Sequence, residues 1–237
     1  THTEEHAEVA LSILKKLDDN GYIEPRISDE PYDSIANQFL PDRYVEGTCP
    51  HCNYESARGD QCDDCGKTLD SKELINPRSK LNPDAKIEFR ETEHLFFKLS
   101  EFRDVLLEWL SEGKGHWRPS VINFTRNWLK EGLIDRAVTR DLDWGIEIPR
   151  EGYENKRMYV WFEAVMGYYS ASVHWAKNQG KPDEWKKWWE NEDSEHYYFM
   201  AKDNIPFHTI IWPAMLSGCG YKLPYDVPAN EYLLLDS

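Results

Sequence analysis

Cys49-Pro-His-Cys52 and Cys62-Asp-Asp-Cys65 are two Cys-x-x-Cys pairs separated by nine residues. Each pair forms a tight turn that directs two thiolates inward, and two such turns complete the tetrahedral shell that zinc prefers. Two disulfides or four free thiols are the alternative, but the spacing matches structural four-cysteine sites. Because four protein ligands leave no open position for a substrate, we expect a structural zinc knuckle over residues 47–68 and chemistry elsewhere in the chain.

The composition outside this motif is typical of a soluble globular protein. The 237 residues are 40% hydrophobic and 30% charged, which permits one large domain or a domain with an insertion. A net charge of −15 repels polyanions, so contact with a nucleic acid would require a local basic patch or a part of the protein outside these residues. Four of the five cysteines belong to one metal pattern, which favours a reducing compartment, and we expect a cytoplasmic protein. No apolar run is long enough to span a membrane, so we expect no membrane partner.

The first half of the chain predicts helices around an extended region. A capping box at Thr1 and Glu4 opens a helix that ends at Asn20. An extended, interrupted region with several prolines follows, and residues 66–92 are polar and irregular. His94–Leu99 is either a strand or the start of a helix, and two amphipathic helices follow, the second with Pro119 in its first turn.

Strands alternate with helices in the second half. Strands are predicted at 157–161 and 195–200, each followed by a helix, and Tyr232-Leu-Leu-Leu235 is a last extended segment. This alternation favours an α/β fold with a parallel sheet. Ligands of such sheets bind beyond the carboxyl ends of the strands, so the segments after Trp161 and Met200 are the candidate sites.

Aromatic and polar side chains are concentrated in both segments. Trp161 and Tyr168 lie seven residues apart, and His208 and Trp212 lie four apart, so each pair shares a helix face. Aromatic residues at helical spacing usually form core, and a lone histidine is often a satisfied structural residue. Asp203 either caps the following helix or accepts hydrogen bonds from a ribose. The residues alone leave these interpretations open.

Six stretches taken together resemble the methionyl-tRNA synthetases, which are class I aminoacyl-tRNA synthetases. The resemblance covers nearly the whole chain, and the conjunction and order of the stretches are more specific than any one of them. They are Leu40-Pro-Asp-Arg-Tyr-Val-Glu-Gly-Thr-Cys-Pro50, Ala57-Arg-Gly-Asp-Gln-Cys-Asp-Asp-Cys-Gly66, Arg90-Glu-Thr-Glu-His-Leu-Phe-Phe97, Arg140-Asp-Leu-Asp-Trp-Gly-Ile146, Tyr159-Val-Trp-Phe-Glu-Ala164 and Lys202-Asp-Asn-Ile-Pro-Phe-His208.

The resemblance implies a fold and a domain order. It implies the second half of a Rossmann-type catalytic domain, with a connective-peptide insertion that carries the zinc knuckle. Residues 1–22 would be the last helix of the first half-sheet, residues 23–138 the insertion, and residues 139–237 the second half of the catalytic domain. The implied activity is that of a methionine–tRNA ligase, which forms methionyl-adenylate from methionine and ATP with Mg²⁺ and then transfers the methionyl group to tRNA.

The resemblance also implies roles for individual residues. The methionine side chain would lie between two walls, one formed by Trp161, Ala164 and Tyr168 and the other by Phe207, His208 and Trp212. Asp203 would reach the ribose of ATP, and the N–H of a neutral His208 would meet the thioether sulfur. Glu163 and Val165 depart from the family pattern, since Asp is usual at the first position and Pro occurs at the second in some members.

Two signatures of the family are not found in these 237 residues. The resemblance implies that His-Ile-Gly-His precedes Thr1 and that Lys-Met-Ser-Lys-Ser follows Ser237. We therefore expect this chain to be part of a longer protein and to be inactive in methionine activation by itself. A class I synthetase for another aliphatic amino acid is one alternative. A non-enzymatic zinc-ribbon module that binds nucleic acid or protein is another, although the acidic balance of residues 40–72 disfavours phosphate binding.

Overall fold

A computed structural model describes residues 3–60, 62–65, 67 and 69–231, and the chain divides into two compact units. The first unit comprises Thr1–Glu24, Leu95–Thr139 and Trp144–Ser237. The second unit comprises Pro25–His94 and Arg140–Asp143. The predicted cap at Thr1 and the predicted extended segment at 232–235 lie outside the described residues.

Seven α-helices and eleven strands are found in the described residues. The helices are α1 Glu4–Asp19, α2 Arg103–Ser111, α3 Pro119–Glu131, α4 Val160–Glu163, α5 Gly167–Asn178, α6 Lys186–Trp189 and α7 Trp212–Gly218. The strands are β1 Ile23–Asp33, β2 Gln38–Phe39, β3 Val45–Thr48, β4 Ala57–Arg58, β5 Ile75–Ser79, β6 Ile87–Phe97, β7 Arg136–Ala137, β8 Thr139–Asp141, β9 Lys156–Met158, β10 Met200–Ala201 and β11 Ala229–Asn230. None of the helices described is both long enough and apolar enough to cross a bilayer.

Helix α1 of the first unit follows the sequence prediction. The side chain of Thr3 caps it by accepting the His6 N–H, and its two first residues are acidic, which suits the positive end of the helix dipole. One face of the helix is buried, and it includes Ala10, Leu14 and Leu17. The helix packs against α5 and α7, so it supports the segments that carry the candidate site residues.

The predicted parallel pairing is present but short. Met200 and Ala201 pair in parallel with Ala229 and Asn230. The strand predicted at 195–200 is mostly wrong, because residues 195–199 belong to no strand and make only isolated parallel contacts, such as the Tyr198 N–H to the Asp226 carbonyl at 3.0 Å. Prolines 224 and 228 in the partner segment donate no N–H, which limits the ladder.

Trp161 lies in a helix rather than in the predicted strand. Strand β9 ends at Met158, and the Tyr159 N–H bonds to the Val138 carbonyl at 2.8 Å. The Tyr159 carbonyl then accepts from Phe162 and Glu163 at 2.9 and 3.1 Å, which begins α4. The polypeptide continues through a 3₁₀ turn, Ala164–Met166, into α5.

The second unit consists mainly of strands around a small core. Strand β3 lies between β4 and β5, and β1 lies between β2 and β6. The extended, interrupted region predicted after α1 begins with β1, a single strand of 11 residues, and is interrupted by a turn at residues 34–37 before β2. Pro25 and Pro31 are six residues apart, so both missing donors face the same side of the strand. The buried apolar cluster is Leu40, Val45, Cys49, Ala57, Cys62, Leu69 and Leu74.

Candidate functional site

An aromatic hollow opens in the first unit, where the two segments predicted from the sequence meet. Its cavity volume is about 140 Å³, many times the roughly 10–15 Å³ that one water molecule needs. Its lining residues are Trp161, Ala164, Val165, Tyr168, Asn204, Phe207 and His208. A hollow in the second unit, beside His94 and Arg140, measures about 10 Å³ and has room only for water.

One wall of the hollow is a single helical face. Trp161, Ala164, Val165 and Tyr168 follow the spacing i, i+3, i+4 and i+7, which places all four on one side of the α4–α5 segment. The indole of Trp161 stacks on the ring of Phe207 from the opposite wall, with centroids 5.2 Å apart and planes at 27°. The two aromatic walls are therefore in direct contact.

His208 lies in the second wall of the hollow as a neutral imidazole. Its Nδ1 lies 2.9 Å from the Asn204 carbonyl oxygen, which can only accept, so Nδ1 carries the proton. Its Nε2 lies 2.7 Å from the Tyr168 hydroxyl and accepts the phenolic proton. Burial lowers the pKa of His208 and raises that of Tyr168, so both groups stay neutral near pH 7. Both ring nitrogens are thus occupied, and the expected imidazole N–H facing a sulfur atom is not available in this arrangement.

Tyr198 is a residue of this site that the sequence analysis did not single out. Its ring packs edge-on against Tyr168 at 4.9 Å and lies 5.7 Å from the ring of His208. Its hydroxyl accepts the indole N–H of Trp212 at 3.0 Å. The only feature of the sequence that could have indicated Tyr198 as a site residue was its position in a predicted strand, three residues before the loop at 201.

Trp212 and Asp203 are not among the residues that line the hollow. Trp212 is fully buried, and its indole N–H bonds to the Tyr198 hydroxyl. The ring of His208 lies 5.7 Å from the ring of the same tyrosine. Asp203 is exposed, in a 3₁₀ turn formed by Lys202–Asn204 directly after β10. The structure therefore gathers five of the six predicted pocket residues around one hollow.

The segment that carries Phe207 and His208 is a π-helical turn, Phe207–Ile211. The Trp212 N–H bonds to the Phe207 carbonyl, five residues earlier. Pro213 follows immediately and has no N–H to donate to the Thr209 carbonyl, so the regular α-helical pattern is interrupted here. Such widened turns are frequent at functional sites.

The buried neutral imidazole predicts a pH dependence of stability. The unfolded chain binds a proton at His208 near pH 6.5, whereas the folded chain binds it only at lower pH, so the unfolded state holds more protons in that window. Stability should therefore fall as the pH falls below about 6.5. Urea unfolding at pH 7.5 and 5.5 should give a smaller difference for His208→Gln than for the wild type. His174→Asn, at an exposed histidine, serves as the control, and an equal difference in all three proteins would contradict the prediction.

The four cysteines of the second unit converge as the sequence predicts. Their sulfur atoms all lie within 4.8 Å of one another, with Cys49–Cys65 at 3.9 Å and Cys52–Cys62 at 3.6 Å. Ligands 2.3 Å from a tetrahedral zinc ion would be about 3.8 Å apart, whereas a disulfide requires about 2.0 Å. The His51 N–H also points to the Cys49 sulfur at 3.4 Å. The donor set fits one metal ion.

Strand β3 leads directly into this cluster. Gly47 lies so close to the neighbouring strand that an added Cβ would be 3.0 Å from the Ile75 carbonyl oxygen and from the Leu74 side chain. Asn53, which follows the first cysteine pair, has a positive φ of 63° and closes the turn by donating to the Cys49 carbonyl at 3.0 Å. Local backbone geometry therefore aims the first two thiolates.

The chain belongs to the class I tRNA synthetases. A family model described as "tRNA synthetases class I (M)" matches residues 1–237. The class I synthetase fold with α/β content, which the resemblance implied, is thereby confirmed.

The relatives of the chain carry a more specific name. It is 59% identical over 238 residues to the methionine–tRNA ligase of Dehalococcoides mccartyi (strain CBDB1), covering 100% of this chain and 42% of the relative. It is 53% identical over 230 residues to that of Thermoplasma volcanium, covering 97% of this chain and 42% of the relative. The chain thus spans about two fifths of the length of these curated relatives.

Solved structures show the same fold. The Mycobacterium tuberculosis methionyl-tRNA synthetase in complex with methionyl-adenylate matches with a TM-score of 0.64 at 19% identity, covering 97% of this chain and 38% of that chain. The ligand-free form of the same protein matches with a TM-score of 0.62 at 19% identity, covering 98% of this chain and 40% of that chain.

Proposed function

We propose that the protein to which this chain contributes is a methionine–tRNA ligase, and that the aromatic hollow binds the side chain of methionine. The observation that carries the proposal is the closure of one ligand-sized hollow by Trp161, Tyr168, Phe207 and His208. The names of the close relatives support it. Neither a synthetase for another aliphatic amino acid nor a zinc-ribbon module is favoured by those relatives.

The hollow suits an unbranched thioether. Aromatic edges and faces make favourable contacts with a polarisable sulfur, and the flexible methionine chain can enter between the stacked pair Trp161–Phe207 and the pair Tyr168–His208. Because both His208 nitrogens and the Tyr168 hydroxyl proton are already engaged, the aromatic rings are the groups that meet the sulfur. Recognition then rests on shape and polarisability, with little contribution from direct hydrogen bonding to sulfur.

The domain order implied by the resemblance is part of the proposal. Residues 1–22 would be the last helix of a first half-sheet, residues 23–138 a connective-peptide insertion, and residues 139–237 the second half of a Rossmann-type catalytic domain. The compact second unit, Pro25–His94 with Arg140–Asp143, lies largely within the proposed insertion and contains its cysteine cluster. Residues 95–138 belong to the first unit.

The remaining partners are ATP with Mg²⁺, tRNA and a structural zinc ion. The methionine carboxylate attacks the α-phosphorus of ATP, pyrophosphate leaves, and a ribose hydroxyl of tRNA then takes the methionyl group and releases AMP. Asp203 is the residue proposed to reach the ATP ribose, and its exposed position directly after β10 is compatible with that role. Four thiolates favour zinc over harder cations, and a four-ligand site supports folding rather than chemistry. The cytoplasm is the expected compartment.

ATP–pyrophosphate exchange with the full-length gene product tests this function. We expect exchange that depends on methionine. Leucine, isoleucine and valine should give at least about 100-fold lower kcat/KM, because branched chains do not fit between the Trp161–Phe207 pair and the Tyr168–His208 pair. Methionine should also be transferred to tRNA in a charging assay. Exchange that isoleucine or leucine supports as well as methionine, or no exchange with any of the four, would refute the proposal.

A further inference from the structure

A buried cluster of three polar side chains lies behind the aromatic hollow in the first unit. His6, Glu163 and Ser170 come from three different helices and are 3%, 6% and 5% exposed. His6 Nε2 contacts the Glu163 carboxylate, and His6 Nδ1 lies 2.8 Å from the Ser170 hydroxyl. Buried polar groups are costly unless they satisfy one another, and these three do.

The hydrogen-bond directions follow from the partners. Ser170 Oγ lies 3.2 Å from the Gly167 carbonyl oxygen and donates its single proton there, so it accepts from His6 Nδ1–H. One further proton then joins His6 Nε2 to the Glu163 carboxylate. All three side chains thereby have hydrogen-bond partners, which a low-dielectric interior requires of buried polar groups.

The cluster lies on the side of the α4–α5 segment opposite to the side that lines the hollow. Glu163 and Ser170 are seven residues apart and face α1, whereas Trp161, Ala164 and Tyr168 of the same segment face the hollow. Along this segment, the α-helical backbone of α4 is followed by a 3₁₀ turn, Ala164–Met166, and then by α5. Such a change weakens the internal register of a helix, so side-chain contacts decide its orientation.

We propose that His6 is a positioning residue of the hollow. By bonding Glu163 and Ser170 together, it fixes the rotation of the α4–α5 segment and so sets the place of Trp161 and Tyr168 against the ligand. A buried ionisable pair adds little stability compared with apolar packing but specifies one arrangement, which agrees with a positioning role. The ligand in this inference is methionine, so its affinity rests on the function proposed above.

Two substitutions of His6 test its two side-chain hydrogen bonds one at a time. In His6→Asn the amide can replace Nδ1 toward Ser170 but cannot reach Glu163, whereas in His6→Gln the amide can replace Nε2 toward Glu163. His174→Asn is the matched control, because His174 pairs with Glu5 at 3.5 Å between the same two helices, α5 and α1, but at the exposed surface. Steady-state exchange kinetics with the full-length gene product give KM for methionine and for ATP separately.

We expect His6→Asn to raise the KM for methionine about tenfold with the KM for ATP unchanged. His6→Gln should restore the KM to within about threefold of the wild type, as should His174→Asn. A parallel rise of both KM values in His6→Asn, or equal methionine KM values in His6→Asn and His174→Asn, would overturn the inference.

A measurement in the absence of methionine tests the positioning role of His6 independently of the proposed function. In ¹H–¹⁵N spectra, the indole signal of Trp161, assigned with Trp161→Phe, should shift in His6→Asn and stay in place in His174→Asn. An unmoved signal refutes the positioning role even where methionine is a substrate. A moved signal in a protein without methionine-dependent exchange refutes the proposed function and supports the positioning role. If His6→Asn does not fold, Glu163→Gln replaces it in both measurements, with the same expected outcomes.

Discussion

Replacing Cys62 with serine is expected to remove the metal and unfold the cysteine-bearing part of the second unit. Cys62 is buried, and its sulfur lies 3.6 Å from that of Cys52. Two of the seven residues in the buried cluster of this unit are cysteines of the proposed site, so little apolar burial remains when the metal is lost. Structural zinc in small domains contributes roughly 10–16 kcal/mol of binding free energy at pH 7, so its loss would remove a large part of the stabilisation of this segment.

Elemental analysis and limited proteolysis measure the two consequences. The wild type should contain about one equivalent of zinc, and Cys62→Ser should contain well under half an equivalent and be cleaved rapidly between β3 and β5. Cys219→Ala is the matched control, because Cys219 is a buried cysteine of the first unit and is not part of the cluster. Less than about 0.5 equivalents of zinc in freshly purified, reduced wild type would contradict the prediction. So would an intact protease pattern in Cys62→Ser.

Replacing Trp161 with alanine is expected to cause the largest loss of methionine affinity. The indole forms one wall of the hollow and stacks on Phe207 at 5.2 Å, so its removal opens that side to water. Loss of an aromatic wall costs about 2–3 kcal/mol of apolar contact, which corresponds to roughly a 30- to 140-fold weaker Kd. Phe207 would also lose its stacking partner, which adds disorder to the opposite wall.

Calorimetric titration of methionine into the full-length gene product measures this loss. Trp144→Ala is the matched control, because Trp144 is a tryptophan of the same unit that is 72% exposed and does not line the hollow. Its Kd should stay within about twofold of the wild type. A Trp161→Ala protein that is folded by circular dichroism and binds methionine as tightly as Trp144→Ala would show that the hollow is not the methionine site.

Local patterns in the sequence were sufficient for much of the architecture. Helix α1 and helix α3, between Pro119 and Gly132, were predicted because each depends on side chains only a few residues apart. The convergence of four cysteines was predicted from the spacing of their two pairs, which is typical of four-cysteine metal sites. The two aromatic segments were also identified, since their spacing puts each set on one helix face. The family could be inferred from the order of six short stretches and is shown by the match over the whole chain.

The tertiary structure decided which side chains of these segments line the hollow, which are buried in the core and which hydrogen bonds they form. Trp212 and His208 share a helix face, yet Trp212 is fully buried against Tyr198 while His208 lines the hollow. The proton on His208 follows from the Asn204 carbonyl and the Tyr168 hydroxyl, the second of them 40 residues away. The partners of His6 lie 157 and 164 residues along the chain.

Spacing along a chain determines contacts within one helix or turn, because the backbone geometry there repeats. It therefore determined the turn of each Cys-x-x-Cys pair and the faces of the two aromatic segments from sequence alone. Contacts between elements depend on how those elements pack, and no local pattern encodes the packing. The lining of the hollow, the tautomer of His208 and the buried cluster behind Trp161 are for that reason properties of the folded chain.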